Sequence, residues 1–186
     1  MLELSLHVLD IVNNSIKAKA TKIEIEINEQ VLKNTLTISI KDNGCGMDEE
    51  FLKTVTDPFK TTRTTRKVGM GLSMFQAAAE ATGGKLKISS KKGVGTQVCV
   101  TFTYDHIDRQ PLGNMAETMQ ILTSGNDGID FIYHHIKEDK EFLFDTRQIK
   151  EILGDVSLVN PEIAMWIRGY IEEGLAELDS QKQEKR

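Results

Sequence analysis

The order of hydrophobic periodicities along this 186-residue chain predicts an α+β fold. The expected architecture is a two-layer sandwich of helices on one face of a mixed β-sheet, with a small α+β extension behind it. Two observations carry that expectation. Segments alternating apolar and polar residues come in pairs, 22–28 with 35–41 and 85–90 with 96–104. Each pair follows a segment with apolar residues at helical spacing.

Residues 4–18 read as a helix, with Leu6, Leu9, Val12 and Ile16 at helical spacing. KIEIEIN at 22–28 alternates strictly, as a half-buried strand does, and TLTISIK at 35–41 repeats the pattern after a short turn. After DNGCGM, 48–55 reads as a short helix with Asp48 as N-cap and Phe51, Leu52 and Val55 turned inward. Residues 60–67 (KTTRTTRK) have no apolar anchor and read as a loop. A helix over 69–82 stops at Gly83-Gly84, and a Gly93-Val94-Gly95 turn joins the next two strands. From about Ile107 the texture changes, with Gln110-Pro111-Leu112-Gly113 marking a boundary between 1–106 and an extension over 107–186. The extension reads as a helix at 114–123, a hairpin of 130–136 with 141–144, and helices at 146–153 and 161–178, the last with Pro161 in its first turn. Trp166, Ile163, Ile167 and Ile171 read as packing for that helix, and 180–186 as a charged tail.

Composition removes several classes. A net charge of −5 argues against a general nucleic-acid binder. No apolar run approaches the roughly 20 residues that span a bilayer, and MLELSLHVLD lacks the basic region of a signal peptide. Cys45 and Cys99 suggest no disulfide framework, so a reducing cytoplasm is the expected setting. His106, His134 and His135 have no cysteine or acid at metal-ligand spacing, and neighbouring His134 and His135 would face opposite sides of a strand.

The residues that carry chemistry fall into four groups. Asp42 ends a strand and precedes two glycines, Gly44 and Gly46, that let the backbone bend sharply beside a flat ligand; its carboxylate suits an exocyclic amine. Asp10 and Asn14 share one edge of the first helix, with Asn13 beside them. An Asn carboxamide oxygen is a suitable Mg²⁺ ligand, and a carboxylate one turn away can take a proton near a terminal phosphate. Gly69-Met70-Gly71-Leu72-Ser73 opens a helix, where bare N–H groups and the positive dipole end suit an anionic phosphate. Thr96, after Gly93-Val94-Gly95, begins a strand where its hydroxyl can share a base or a water with Asp42.

In this order the segments resemble the ATP-binding domain shared by DNA gyrase, the large heat-shock chaperone, sensor histidine kinases and mismatch-repair ATPases, the GHKL superfamily with its Bergerat ATP-binding fold. LDIVNNSIKAKA resembles the asparagine box, DNGCGM the first glycine box, DPFKTTR the start of the lid, GMGLS the second glycine box and GVGT the final one. The resemblance covers residues 4–104. It implies ATP and Mg²⁺ as ligands, with Asn14 on the metal and Asp42 on the adenine amine. Gly44, Gly46 and Met47 would lie along the base. Gly69 and Gly71 would cradle phosphates, and Thr96 would support the adenine contact. Lys60, Thr61, Thr62, Met70 and Leu72 complete the nucleotide-binding set, and 61–67 would form a lid.

One departure stands out. The hydrolytic and serine-kinase branches usually carry Glu four residues before the box asparagine; here it is Asp10, shorter by one carbon–carbon bond, roughly 1.5 Å. Only three residues precede the first helix, and His7 lies inside it, so no dimerisation segment with a phospho-accepting histidine precedes the domain in this sequence. The chain is similar to the anti-sigma-factor serine kinases and to stand-alone ATP-binding proteins found near iron-hydrogenase genes, the latter through HIDRQPLGNM and FDTRQIKEIL. The expected function is an ATPase or protein kinase with Asp10 as base, acting with a protein partner and compatible with a homodimer. The rivals are a non-catalytic nucleotide-dependent regulatory module and the catalytic half of a split sensor kinase. Plainer readings exist for each group. Asp10, Asn13 and Asn14 could be the solvated edge of a helix, DNGCGM an ordinary strand-to-helix turn, and Cys45 a small filler or an oxidation-sensitive thiol in the pocket.

Overall fold

The computed structural model describes residues 3–56, 70–154 and 156–180, without the side chains of Thr54, Thr56 and Met70. Six strands form one sheet in the order β3-β4-β2-β1-β5-β6. They are β1 (Lys22–Gln30), β2 (Thr35–Asp42), β3 (Lys85–Lys91), β4 (Gly95–Thr103), β5 (Asp130–Lys137) and β6 (Lys140–Asp145). The helices are α1 (Leu4–Lys17), α2 (Glu49–Thr56), α3 (Met70–Glu80), α4 (Met115–Gly125), α5 (Thr146–Leu153) and α6 (Pro161–Asp179). The expected α+β class with a mixed sheet is what is found: β1 runs antiparallel to β2 and parallel to β5.

The period-two pattern sets the faces. Ile23, Ile25 and Ile27 of β1 stand beside Ile38 and Ile40 of β2, Val98 and Val100 of β4, and Phe131 and Tyr133 of β5, all buried on the helix side. The opposite face carries Lys22, Glu24, Glu26, Ser39 and Gln97, as a sheet with one open side requires. The segment from Ile107 onward continues this sheet. β5 pairs along β1 from Lys22↔Asp130 to Glu29↔Lys137, and α4 packs against both α1 and α6.

Two side-chain expectations change. The buried stripe of α1 is Leu4, Val8, Ile11, Val12 and Ser15, while Leu6 is 41% exposed. The helix dips toward both the sheet and α3, so the stripe turns by about one residue relative to Leu6-Leu9-Val12-Ile16. Trp166 is not core packing: it is 49% exposed, while Ile167 and Ile171 of the same helix are fully buried. His134 and His135 do point to opposite faces; His135 is buried, with Nδ1 on the Tyr133 hydroxyl at 2.7 Å and Nε2 on Glu29 Oε1 at 2.7 Å. His134 lies on the open face beside Glu141.

Candidate functional site

The cleft opens where β2 ends and β4 begins, beside the last turns of α1. Asp42 is the final residue of β2 and pairs with Thr96 of β4. Its carboxylate is held from three sides. Oδ1 accepts from the Gly44 N–H at 2.9 Å and the Thr96 N–H at 3.3 Å, and Oδ2 accepts from the Ser15 hydroxyl at 2.6 Å. A carboxylate has about four acceptor positions. Three are used inside the protein, leaving one on Oδ2, and Asp42 lines the cleft.

A second small network supports Thr96. The Ser90 hydroxyl donates to Gly95 C=O at 3.0 Å and accepts from the Met47 N–H at 2.8 Å. With its one proton committed, Ser90 accepts from the Thr96 hydroxyl 2.8 Å away. The Thr96 oxygen therefore keeps its lone pairs for whatever enters the cleft. Asn43 plays no part in the cleft: its carboxamide clamps Thr21 and Lys22 at the start of β1.

The glycine turn is built by close backbone packing. Gly46 has φ +63°, and a Cβ there would meet the Lys91 carbonyl oxygen at 2.1 Å. Gly95 has φ +138°, and a Cβ there would meet the Asp42 carbonyl oxygen at 2.0 Å. Only residues without a side chain let the turn after β2 and the β3–β4 turn press together this way. Gly44 is buried behind the carboxylate. Asp48 caps α2 as expected, accepting from the Phe51 N–H at 2.9 Å. Phe51 and Val55 of α2 both line the cleft, and Val55 also packs against the main core.

The cleft holds about 360 Å³. Its walls are largely apolar, with Ile11, Met47, Leu72, Ile88 and Val98 around the polar groups Asn14, Ser15, Asp42 and Thr96. That mixture, apolar with a few convergent polar atoms, is what a flat heteroaromatic ligand needs. Asn14 makes no side-chain hydrogen bond among the described residues, so its carboxamide oxygen is available as a hard ligand. Lys17 and Lys92 line the same cleft.

Asp10 lies outside the lining, one turn up α1, against the first turn of α3: a Cβ on Gly71 would sit 2.9 Å from its Oδ2 and 3.0 Å from its Cβ. Its carboxylate is thus close to the positive end of the α3 dipole. Of the sequence-expected residues, Asn14, Asp42, Gly46, Met47, Leu72 and Thr96 converge on the cleft, Gly44 backs it, and Asp10 and Gly71 meet beside it. Met70 begins α3. Lys60, Thr61, Thr62, Gly69 and the 61–67 lid lie outside the described residues. Ser15 and Ser90 were missed. The signal for each was a hydroxyl in an inward row, Ser15 following Ile11 at i+4 and Ser90 following Leu86 and Ile88 at period two.

Two further facts bear on the site's surroundings. His7 is buried, stacked on Phe75 with ring centroids 4.9 Å apart, and its Nε2 meets Gln110 Oε1 at 3.0 Å. Burial pushes its pKa below the usual histidine value, against the pull of Gln110. Among the described residues no helix is long and apolar enough to cross a membrane, and no group of three or more His, Cys, Asp or Glu side chains could hold a metal ion.

Comparison with known proteins bears on the family and the fold. The chain is 35% identical over 96 residues to the signal transduction histidine-protein kinase AtoS of Escherichia coli (strain K12), covering 51% of this chain and 15% of that protein. It is 36% identical over 110 residues to the sensor protein kinase FleS of Pseudomonas aeruginosa, covering 59% of this chain and 27% of that one. The chain therefore spans less than a third of the length of these relatives. Among solved structures, the N-terminal domain of a DNA repair protein superposes with a TM-score of 0.57 at 20% identity, covering 83% of this chain and 58% of that chain. The Aquifex aeolicus MutL ATPase domain complexed with ADP gives 0.53 at 20% identity, covering 82% and 69%. The fold likeness reaches past residue 106, as the shared sheet requires. Residues 2–106, more than half of the chain, match the model described as histidine kinase-, DNA gyrase B-, and HSP90-like ATPase, and the chain belongs to that family.

Proposed function

We propose that this chain binds Mg-ATP in the cleft and passes the terminal phosphoryl group to water or to a protein partner in the cytoplasm. The observation that carries the reading is the Asp42 carboxylate, fixed by three donors and left with one acceptor position toward a largely apolar cleft. That is the arrangement for reading an exocyclic amine, which donates, against a keto oxygen, which accepts. Thr96 supplies a second acceptor beside it. Asn14, whose carboxamide is unengaged among the described residues, would hold Mg²⁺ through oxygen; the metal, when bound, neutralises charge on the phosphates.

Asp10, beside the N-terminus of α3, is the group to act as base. It would take the proton of the attacking hydroxyl as the new O–P bond forms and the bridging β–γ oxygen leaves with ADP. Gly69, Gly71 and the lid at 61–67, with Lys60, Thr61 and Thr62, would enclose the phosphates. A second reading, a nucleotide-dependent regulatory module without turnover, is favoured by the shorter carboxylate of Asp10 and by its packing on Gly71.

Two measurements test this. Calorimetry with ATP and with GTP should show a clear preference for ATP; equal affinities would remove Asp42 as the reader of the base. Phosphate release and transfer from radiolabelled ATP, alone and with candidate partners, separates the catalytic reading from the regulatory one. Binding without turnover in every mixture would leave the module.

A further inference from the structure

The sheet has two edges, and they differ. β3 carries Lys85, Lys87 and Lys91 along its exposed row, the kind of charged edge that discourages strand pairing. β6 does not. It exposes Leu143, at 51%, between two phenylalanines. The two-residue turn at 138–139 closes on Lys137 and Lys140. Phe142 and Phe144 therefore turn their amides to β5, and Glu141 and Leu143 turn theirs outward. Among the described residues no strand pairs with that outer side.

α6 lies over this edge and shapes a wall beside it. Tyr170 packs on Phe142 and Phe144, with ring centroids 5.7 and 6.3 Å away, and Trp166 stacks on Tyr170 at 5.2 Å. The two rings remain 40% and 49% exposed. Arg168 pairs with Glu172 and feels the charge of Glu117 on α4, so that flank of the helix faces α4. At 100° per residue, Trp166, Tyr170, Glu173 and Glu177 fall on the opposite flank, above the free edge of β6. An unpaired row of backbone groups thus runs under a stacked aromatic pair flanked by carboxylates.

We propose that the β6 edge is a docking site for an extended segment of a partner protein, which adds as a seventh strand. The backbone of that segment would pair with Glu141 and Leu143. Residues two apart in a strand share a face, so one apolar side chain would rest on the Trp166–Tyr170 stack and a Lys or Arg two positions away would meet Glu173 or Glu177. The acidic flank and the net charge of −5 favour a basic partner strand over a second copy of this acidic chain.

The test uses the full chain and a blocked eight-residue peptide that alternates threonine with phenylalanine, lysine, valine and arginine. Trp166 is the only tryptophan, so its fluorescence reports on the site directly. The expected result is a saturable change in Trp166 emission, with slowed hydrogen exchange at Glu141 and Leu143. Leu143→Pro removes one outward donor at a position where an edge strand tolerates proline, and should weaken binding about tenfold. Glu173→Lys and Glu177→Lys, both exposed, should each weaken it about two- to fivefold. A Leu143→Pro chain that melts with the parent and still binds equally would overturn the proposal. So would an absent fluorescence response, or dimerisation of the chain through this edge that the peptide does not displace. ATP affinity should be unchanged in all three variants, which keeps this result separate from the nucleotide reading.

Discussion

Replacing Asp42 by Asn tests the base-reading assignment with little disturbance of the fold. The side chain keeps its shape, and its remaining oxygen can still accept from the Gly44 and Thr96 N–H groups. The new NH₂ then faces Ser15, whose hydroxyl can rotate to accept from it and donate instead to the Ile11 carbonyl 3.5 Å away. The loss in stability should be about 1 kcal/mol, the net worth of one hydrogen bond. Toward the cleft the change is larger. The free acceptor position becomes a donor, directed at the amine it is proposed to receive. Losing a hydrogen bond to a charged acceptor costs about 1.5–3 kcal/mol, and leaving two donors opposed costs about 1–3 more. Together these come to about 2.5–6 kcal/mol and weaken ATP binding by roughly seventyfold to twenty-thousandfold. Calorimetry with a non-hydrolysable ATP analogue reads the affinity, and a thermal melt of the same sample reads the fold. A variant that melts within a few degrees of the parent and binds ATP within about threefold would refute the assignment.

Other outcomes follow from the same geometry. Asp10→Asn should bind ATP within about threefold of the parent and lose at least about a hundredfold in phosphate release, the usual share of a general base; retained turnover removes Asp10 from the mechanism. Gly46→Ala places a methyl on the Lys91 carbonyl at a left-handed backbone position, so its melting temperature should fall by about 5 °C or more; an unchanged melt would mean the two turns can separate freely. Burial lowers the pKa of His7 in the folded chain, so the unfolded chain binds more protons as pH falls below about 6.5. The stability that neutral His7 contributes is full above that value and declines on acidification, so His7→Phe, which keeps a ring on Phe75, should flatten the fall in denaturant midpoint between about pH 6.5 and 5. Glu29 adds a later step. Burial raises its pKa, but the hydrogen bond and charge of His135, with Lys137 and Tyr104, outweigh that and hold it below 4.5; its contribution is present above that value and is lost as pH drops further.

How far the sequence disclosed this site depends on which residues act through the chain's local pattern. Asp42, Gly46 and Gly95 are legible because a strand end and a sharp turn leave a mark in consecutive residues: alternation stops, and glycines appear where no side chain fits. Ser15 and Ser90 leave no such mark. Each acts through a partner far along the chain, Asp42 for one and Thr96 with Met47 for the other, and only the register of β2, β3 and β4 brings them together. The same reason hides the union of the two halves. The alternation of 130–136 says that β5 has two faces but not which strand it joins, and pairing with β1 is set by Ile23, Ile25 and Ile27 meeting Phe131, Tyr133 and His135 across the parallel ladder. Trp166 was misplaced for a related cause. Period alone puts it near the apolar stripe of α6, yet the helix buries the flank that meets α4 and the sheet, and the stripe's other margin is left beside an edge strand with nothing described beyond it. The aromatic stack at that margin and the outward amides of Glu141 and Leu143 below it are the two features that favour an extended strand as the proposed occupant.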